Sequence, residues 1–375
     1  GEQTIGEFSV QASAAQQQVD VWRLDDIDMR VDATGLQRSP AGDPLDITVK
    51  VTGSAAPERL DLAVTTDGLT GTVAGIPSGD ALSLAVTAHV ADLARFAPAM
   101  TGAATLEADL QRRSDDLRIG LSLAAENATL HGHPVANPSA RLVGNKSADT
   151  FSGKLDARAD LAGQPLVAHA QIATTTNGAT AIEGLSVTLG PIHLTGDLAI
   201  GEGGKPVGSI AIDAPNLATL GAILNETIEG ALTASITLTD TPNEPALAFH
   251  ANSATLRYGD MRLHTLRAEG RFDELTNAIE GNAELTVASI TGGMDAKAIR
   301  IAAHGHGDAV DLTMKASANG ADLDLSGSLA PTDAGHDLTL SKATLIKGAV
   351  SARLAEPARV ALVGDEARIG KIAFA

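Results

Sequence analysis

The sequence predicts an all-β fold with two short helices: a long, curled antiparallel β-sheet forming an extended, taco-like groove with a hydrophobic interior. Three observations predict it. Apolar and polar residues alternate on both sides of two-residue turn signals, aromatic residues are scarce, and a long repeat opens each time on a helical stripe.

In "VDLTMKASANGADLDLSGSL", Val310, Leu312, Met314 and Ala316 alternate with polar residues up to Asn319-Gly320, and Ala321, Leu323, Leu325 and Leu329 alternate beyond it. A two-residue Asn-Gly turn pairs Met314 with Leu325, Ala316 with Leu323 and Val310 with Leu329 on one face. Asp311, Thr313, Lys315, Asp322, Asp324, Ser326 and Ser328 then form the other face, so one side of the ribbon is apolar and the other wet. Around Asp67-Gly68 the same reasoning sets Leu62 opposite Val73 and Val64 opposite Gly71. Around Gly190-Pro191 it sets Val187 opposite Leu194 and Leu189 opposite Ile192. Around Gly259-Asp260 it sets Leu256 opposite Leu263 and Tyr258 opposite Met261. At one strand per ~10–12 residues the chain holds about 30–35 strands.

The stretch "NLATLGAILNETIEGALTASITLTD", residues 216–240, changes period midway. Leu217, Leu220, Leu224 and Ile228 follow helical spacing; Leu232, Ala234, Ile236 and Leu238 then alternate as in a strand. A second copy is "DLARFAPAMTGAATLEADLQ", residues 92–111. Leu93 aligns with Leu217 at an offset of 124, Phe96 with Leu220 and Met100 with Leu224; Gly102-Ala103 matches Gly230-Ala231 after a four-residue insertion. Downstream, residues 127–144 follow the outline of residues 253–270. Short helices are expected over about 92–100 and 216–228, with Asp92 and Asn216 suited to their N-caps. Each is read as packing on the sheet at a joint between modules, the other reading being a gate or plug lying over the apolar groove. The organisation is one continuous architecture: a β-groove segment over 1–88, helix-opened modules over 89–212 and 213–340, and the start of a further β segment over 341–375.

Of the 375 residues 44% are hydrophobic but only 2% aromatic, with 38 Gly, one Trp and one Tyr. Aromatics supply much of the buried area of a thick core, so their scarcity favours a thin, repetitive cross-section. A long sheet with one apolar face must cover that face. A two-layer sandwich does so; a trough with the apolar face lining an interior that a ligand can fill also does. The residues expected to line it are those of the hairpins above together with Leu232, Ile236 and Leu238.

The formal charge of −19 makes nucleic acid and anionic head groups poor electrostatic partners. With no cysteine, disulfides and thiol chemistry are excluded. No apolar run reaches the ~18 residues of a membrane-spanning helix. The chain starts at Gly1 and ends in "RIGKIAFA", and it is read as a segment of a longer protein.

Little points to catalysis. In a strand the paired imidazoles of His131-Gly132-His133 and of His304-Gly305-His306 would share a face, but neither pair has a third ligand nearby. They are read as solvent-facing strand histidines. In "LDDIDMRVD", Asp26, Asp28 and Asp32 alternate with Ile27, Met29 and Val31, which reads as a solvated strand face, and Asp25 adds no calcium-loop pattern. No nucleophile elbow or phosphate-binding loop is present. No catalytic residue, metal or cofactor is expected, and the chain is read as not an enzyme.

The order "NLATLGAILN", "IEGALTASITLTD", "ATLRYGDMRLHTLRAEGRFDEL" resembles the periplasmic body of the TamB family, within the wider AsmA-like, bridge-like lipid transfer group. The segment "ATLIKGAVSARLAEPARVAL" adds a second likeness, with Leu354, Pro357, Ala358 and Val360 at the places of a Leu-x-x-Pro-Ala-x-Val strand. The likeness covers most of residues 80–375. It implies a periplasmic groove conducting phospholipid between the inner and outer membranes of a Gram-negative bacterium, in a translocation and assembly system. It also implies an inner-membrane anchor and an Omp85-type, TamA-like outer-membrane partner, both engaged through regions outside this segment. Two other functions fit the residues: a scaffold for outer-membrane protein assembly by β-augmentation, and a β-solenoid stalk or adhesin.

Overall fold

A computed structural model of the protein describes residues 8–16, 24–36, 45–66, 68–77, 82–95, 99–176, 178–200, 206–240, 246–274, 280–293, 295–332, 335–363, 366–370 and 373–375. They fall into two compact units, residues 1–180 and 181–375.

Unit one begins with β1 (Phe8–Gln16), β2 (Leu24–Leu36), β3 (Leu45–Ala56), β4 (Arg59–Thr66), β5 (Leu69–Ile76) and β6 (Ser83–Val90). After a 3-10 turn at Leu93–Arg95 come β7 (Met100–Arg113), β8 (Asp116–Leu130), β9 (His133–Ser147), β10 (Thr150–Leu161) and β11 (Gln164–Thr174). Every strand pairs antiparallel with the next, from β1 to β11.

Unit two starts with β12 (Thr180–Leu189), β13 (Ile192–Ile200), β14 (Pro206–Ala214), helix α1 (Ala218–Leu224), β15 (Ile228–Gly230) and β16 (Leu232–Leu238). It goes on through β17 (Leu247–Tyr258), β18 (Met261–Glu274), β19 (Glu280–Thr291), β20 (Ala296–His306) and β21 (Ala309–Ala318). Then follow β22 (Ala321–Thr332), β23 (Gly335–Lys347), β24 (Val350–Arg353), β25 (Ala358–Val363) and β26 (Glu366–Ile369). The meander has two local departures. Strand β14 pairs with β16 while β15 pairs with the end of β17, and β23 pairs with both β24 and β25.

The protein is nearly all β and antiparallel, as its alternation and turns predict. Met314 faces Leu325, Ala316 faces Leu323 and Val310 faces Leu329. Asn319 and Gly320 both take positive φ, 51° and 73°, which a type I′ hairpin turn requires. The registers Leu62–Val73, Val64–Gly71, Leu256–Leu263 and Tyr258–Met261 are also those expected. Across the Gly190-Pro191 turn, Thr188 Oγ1 and His193 Nδ1 lie 3.3 Å apart, which fits the register that sets Val187 against Leu194. Asp67 lies outside the described residues.

Three expectations are corrected. Among the described residues there are 26 strands, fewer than 30–35, because β8 and β9 reach 15 residues and exceed the assumed spacing. Of the helix expected over 92–100, the described residues show a three-residue 3-10 turn at Leu93–Arg95, with Met100 opening β7; residues 96–98, Phe96 among them, lie outside the described residues. The helix expected over 216–228 is the seven-residue α1, ended by Asn225 in the left-handed conformation at φ 57°, and Ile228 begins β15. Its helical stripe therefore outruns the helix by one turn.

Candidate functional site

Cross-strand registers assemble the alternating apolar residues into continuous rows. In unit two, Leu194, Ile212, Ala234, Ala251, Ala268, Leu285, Ile301, Met314, Leu325 and Ala343 run unbroken from β13 to β23. Beside them run Gly196, Ile210, Ile236, Phe249, Gly270, Ala283, Ala303, Leu312, Gly327 and Leu340. In unit one the corresponding row is Ile27, Gly53, Leu62, Val73, Val86, Ala108, Leu121, Leu142, Leu155 and Ala170, from β2 to β11. Each register depends on the one before it, because a one-residue slip would send a whole strand's apolar set to the wet side.

Alanine reports the difference between the two faces. Ala104, Ala108, Ala170 and Ala316 on the apolar face are buried, whereas Ala63, Ala74, Ala85 and Ala211 on the other are exposed. The side chain is the same, so the difference is the cover given by larger neighbours. Most of the buried apolar residues are alanines, and no large side chain among the described residues is completely buried. Apart from Leu161, Ile192, Leu217, Ile223, Val287 and Ile299, the larger aliphatics among the described residues stay partly open: Leu106 is 36% exposed, Ile236 39% and Leu123 43%. Among the described residues, the substantial contacts between elements join paired strands, the 3-10 turn with β7, and α1 with β15.

The helix seals one rim of the apolar face in unit two. Leu217, just before it, is 5% exposed and clusters with Ile192 and Ala214, and Leu220, Ile228, Leu232 and Leu256 pack against them. Asn216 Oδ1 accepts a hydrogen bond from the Ala218 amide at 3.0 Å, as Asp92 Oδ1 does from Ala94 at 2.9 Å. A second cluster, Val287, Ala296, Ile299 and Ala316, lies on the same face farther along.

Of the residues expected to line the interior, Leu62, Val64, Val73, Val187, Leu189, Leu194, Leu232, Leu238, Leu256, Leu263, Val310, Leu312, Met314, Leu323, Leu325 and Leu329 are half-buried. Ile192 is buried beside Leu217, and Ile236 is exposed. What the alternation did not reveal is how the aromatic rings sit. Phe249 is paired with Gly270, and Phe151 lies against Gly144 and Gly153. For Phe249 the available signal was a glycine at the opposed register position; Phe151 is opposed to Lys146 and Thr174 and lies diagonally over the Gly144–Gly153 pair.

The wet face carries charge pairs: Arg300 donates to Glu284 and Lys342 to Asp324, each at 2.6 Å. The Lys342 hydrogen bond holds the Asp324 carboxyl below its ordinary pKa, and the charges of Lys342 and Lys315 add to this. Recesses of about 750 and 740 Å³ lie among these long side chains, the first walled by Lys315, Asp322, Asp324 and Lys342, the second by His250, Glu269, Asn282 and His304. They are gaps among polar side chains of the wet face, with Ala316, Leu323 and Ala343 also in the lining of the first and Phe249, Gly270, Ala283 and Ala303 in that of the second.

The two His-Gly-His runs differ. His304 and His306 share a face of β20 and stack at 6.0 Å, with Asn282 Oδ1 2.7 Å from His304 Nδ1. His131 instead sits in a hairpin turn with Gly132, at φ 49° and 81°, so the expected strand pairing with His133 fails there. Among the described residues no cluster of three or more potential ligands is present. Asp28 is exposed, with Lys50 3.9 Å away; the side chains of Asp25, Asp26 and Asp32 lie outside the description.

These features define a class: antiparallel β-sheet proteins that are one-sided, with an aliphatic face left open along many strands. The chain belongs to the TamB family: the family model described as "TamB, N-terminal domain" matches residues 151–369. No curated protein and no solved structure matches it. Membership makes it a cell-envelope protein with a TamB-family role in envelope assembly. No helix among the described residues is long and apolar enough to cross a membrane.

Proposed function

We propose that the chain is a periplasmic hydrophobic β-groove that conducts phospholipids between the inner and outer membranes. Acyl chains lie on the aliphatic rows and head groups remain in water at the open side. The observation that carries this reading is the unbroken apolar face of each unit, with most of its large side chains left half-exposed. A tail laid on it recovers ~0.8 kcal/mol for each CH2 taken from water. Walls of Ala, Leu, Val and Ile offer no polar anchor, so neighbouring positions are nearly equivalent and a tail slides between them. The role needs no catalytic residue or cofactor. An Omp85-type partner and the membranes are engaged through regions other than this segment.

Mass spectrometry of the purified 375-residue chain under native conditions is expected to find bound phospholipid. A lipid-free protein that also refuses fluorescent phospholipid would overturn the reading. Photocrosslinking residues at Met314 and Leu325 separate the alternatives: phospholipid adducts support conduction, and client-peptide adducts favour an assembly scaffold working by β-augmentation.

A further inference from the structure

Phe249 and Phe272 are neighbours on the aliphatic face of unit two, with ring centroids 6.5 Å apart and planes 17° from parallel. Each is paired across the sheet with a glycine, Phe249 with Gly270 and Phe272 with Gly281. A Cβ on Gly270 would lie 2.3 Å from the Phe249 ring, and one on Gly281 2.8 Å from the Phe272 ring. Both glycines are buried, so ring faces stand where water would otherwise meet the backbone. Unit one uses the same device: the Phe151 ring comes within 2.6 Å of a Cβ placed on Gly144 and 2.8 Å of one on Gly153.

A phenylalanine that stands upright on a sheet projects into the space above it; one that lies over glycine does not. We propose that Gly270 sets the clearance of the groove by keeping the Phe249 ring flat, so that an acyl chain passes over it. This rests on the acyl-chain reading above. Gly270 is the separable member of the pair of glycines. The three atoms nearest its missing Cβ all belong to the Phe249 ring, whereas a Cβ on Gly281 would also meet the Arg271 carbonyl oxygen at 2.3 Å. A methyl on Gly270 therefore displaces the ring outward by about 1 Å to restore ordinary contact.

The test places a photocrosslinking residue at Ile236, which pairs with Phe249 and is 39% exposed, and in a second protein at Leu325 on β22. Each is mixed with phosphatidylethanolamine vesicles. Gly270→Ala is expected to cut lipid adducts at Ile236 about tenfold, the loss when roughly two methylenes leave apolar contact. Adducts at Leu325 should be unchanged. Phe249→Ala should restore adducts at Ile236 in the Gly270→Ala background to the level of Phe249→Ala alone, a rescue that a merely structural glycine would not give. Phe249→Trp, which enlarges the ring and leaves the glycine untouched, should reproduce the loss, and it carries the test if Gly270→Ala loses its sheet by circular dichroism. Unchanged adducts in Gly270→Ala, or a loss that Phe249→Ala does not restore, would overturn the proposal. Adducts at Leu325 but none at Ile236 in the parent protein overturn the clearance role and leave the conduction reading standing; adducts at neither overturn both.

Discussion

Residues 92–102 and 216–230 begin with the same kind of side chain and end at the same kind of glycine, yet among the described residues only the second stretch folds an α-helix. In both, an Asp or Asn carboxyl or amide oxygen accepts from the amide two residues on, and in both the chain re-enters the sheet through a glycine with positive φ, 107° at Gly102 and 115° at Gly230. Between these fixed points the second copy has four more residues, about one helical turn. The joint is thus defined by the polar turn and the re-entry glycine. The helix is what the extra residues do in between, closing over Ile192 and Ala214.

Substituting the glycines tests the shared part and carries the largest expected effect. A Cβ on Gly230 would lie 2.0 Å from the Thr255 carbonyl oxygen, and one on Gly102 2.7 Å from that of Glu126. With the backbone strain added, Gly230→Val should cost about 3 kcal/mol or more, and Gly102→Val nearly as much. Urea denaturation of each variant measures this, and a tolerated valine at either place would break the equivalence of the two joints.

Leu217→Ala sharpens the difference. Leu217 is 5% exposed, so its truncation should cost about 2–4 kcal/mol. Leu93, its half-buried counterpart, should cost only about 1 kcal/mol. Equal losses would mean that the 3-10 turn seals its rim as well as α1 does. Next come Asn216→Ala and Asp92→Ala, each expected to cost about 1 kcal/mol and, because the hydrogen bonds are alike, nearly the same amount. Amide hydrogen exchange at Ala218 and Ala94 is the direct measurement. The smallest effect is at Ser253, which aligns with Asn127: Asn127 is exposed with φ 50°, whereas Ser253 is 5% exposed and its hydroxyl has no partner among the described residues. Ser253→Ala should be neutral or stabilise by less than about 1 kcal/mol, read as a small rise in thermal midpoint.

Registers were legible in the sequence because two constraints coincide at each hairpin. At Asn319-Gly320 the turn fixes the pairing and the alternation fixes the face, so Met314 and Leu325 had one solution. Helix length was not legible, because Leu217, Leu220 and Leu224 keep helical spacing up to Ile228 while Asn225 turns left-handed and ends α1 early. His131-Gly132 was ambiguous for a related reason: a glycine between two histidines serves equally well in a strand, as Gly305 does, or as the second residue of a turn. The ring-on-glycine contacts of Phe249 and Phe272 depend on side-chain rotation as well as register, which alternation does not encode.

The short reach of the pairing has a consequence for how the protein is made. With β14 to β16, β15 to β17 and β23 to β25 the longest skips, the strands whose pairing is described pair only with near neighbours in the chain. No such strand must wait for a distant segment, so each hairpin can add to the last as synthesis proceeds from the N-terminus, with little loop-closure entropy to overcome. Cooperativity should fade with distance along the chain, as in other quasi-one-dimensional arrays. Damage to one strand would then loosen its immediate neighbours and leave remote ones intact, a tolerance that closed barrels and sandwiches lack.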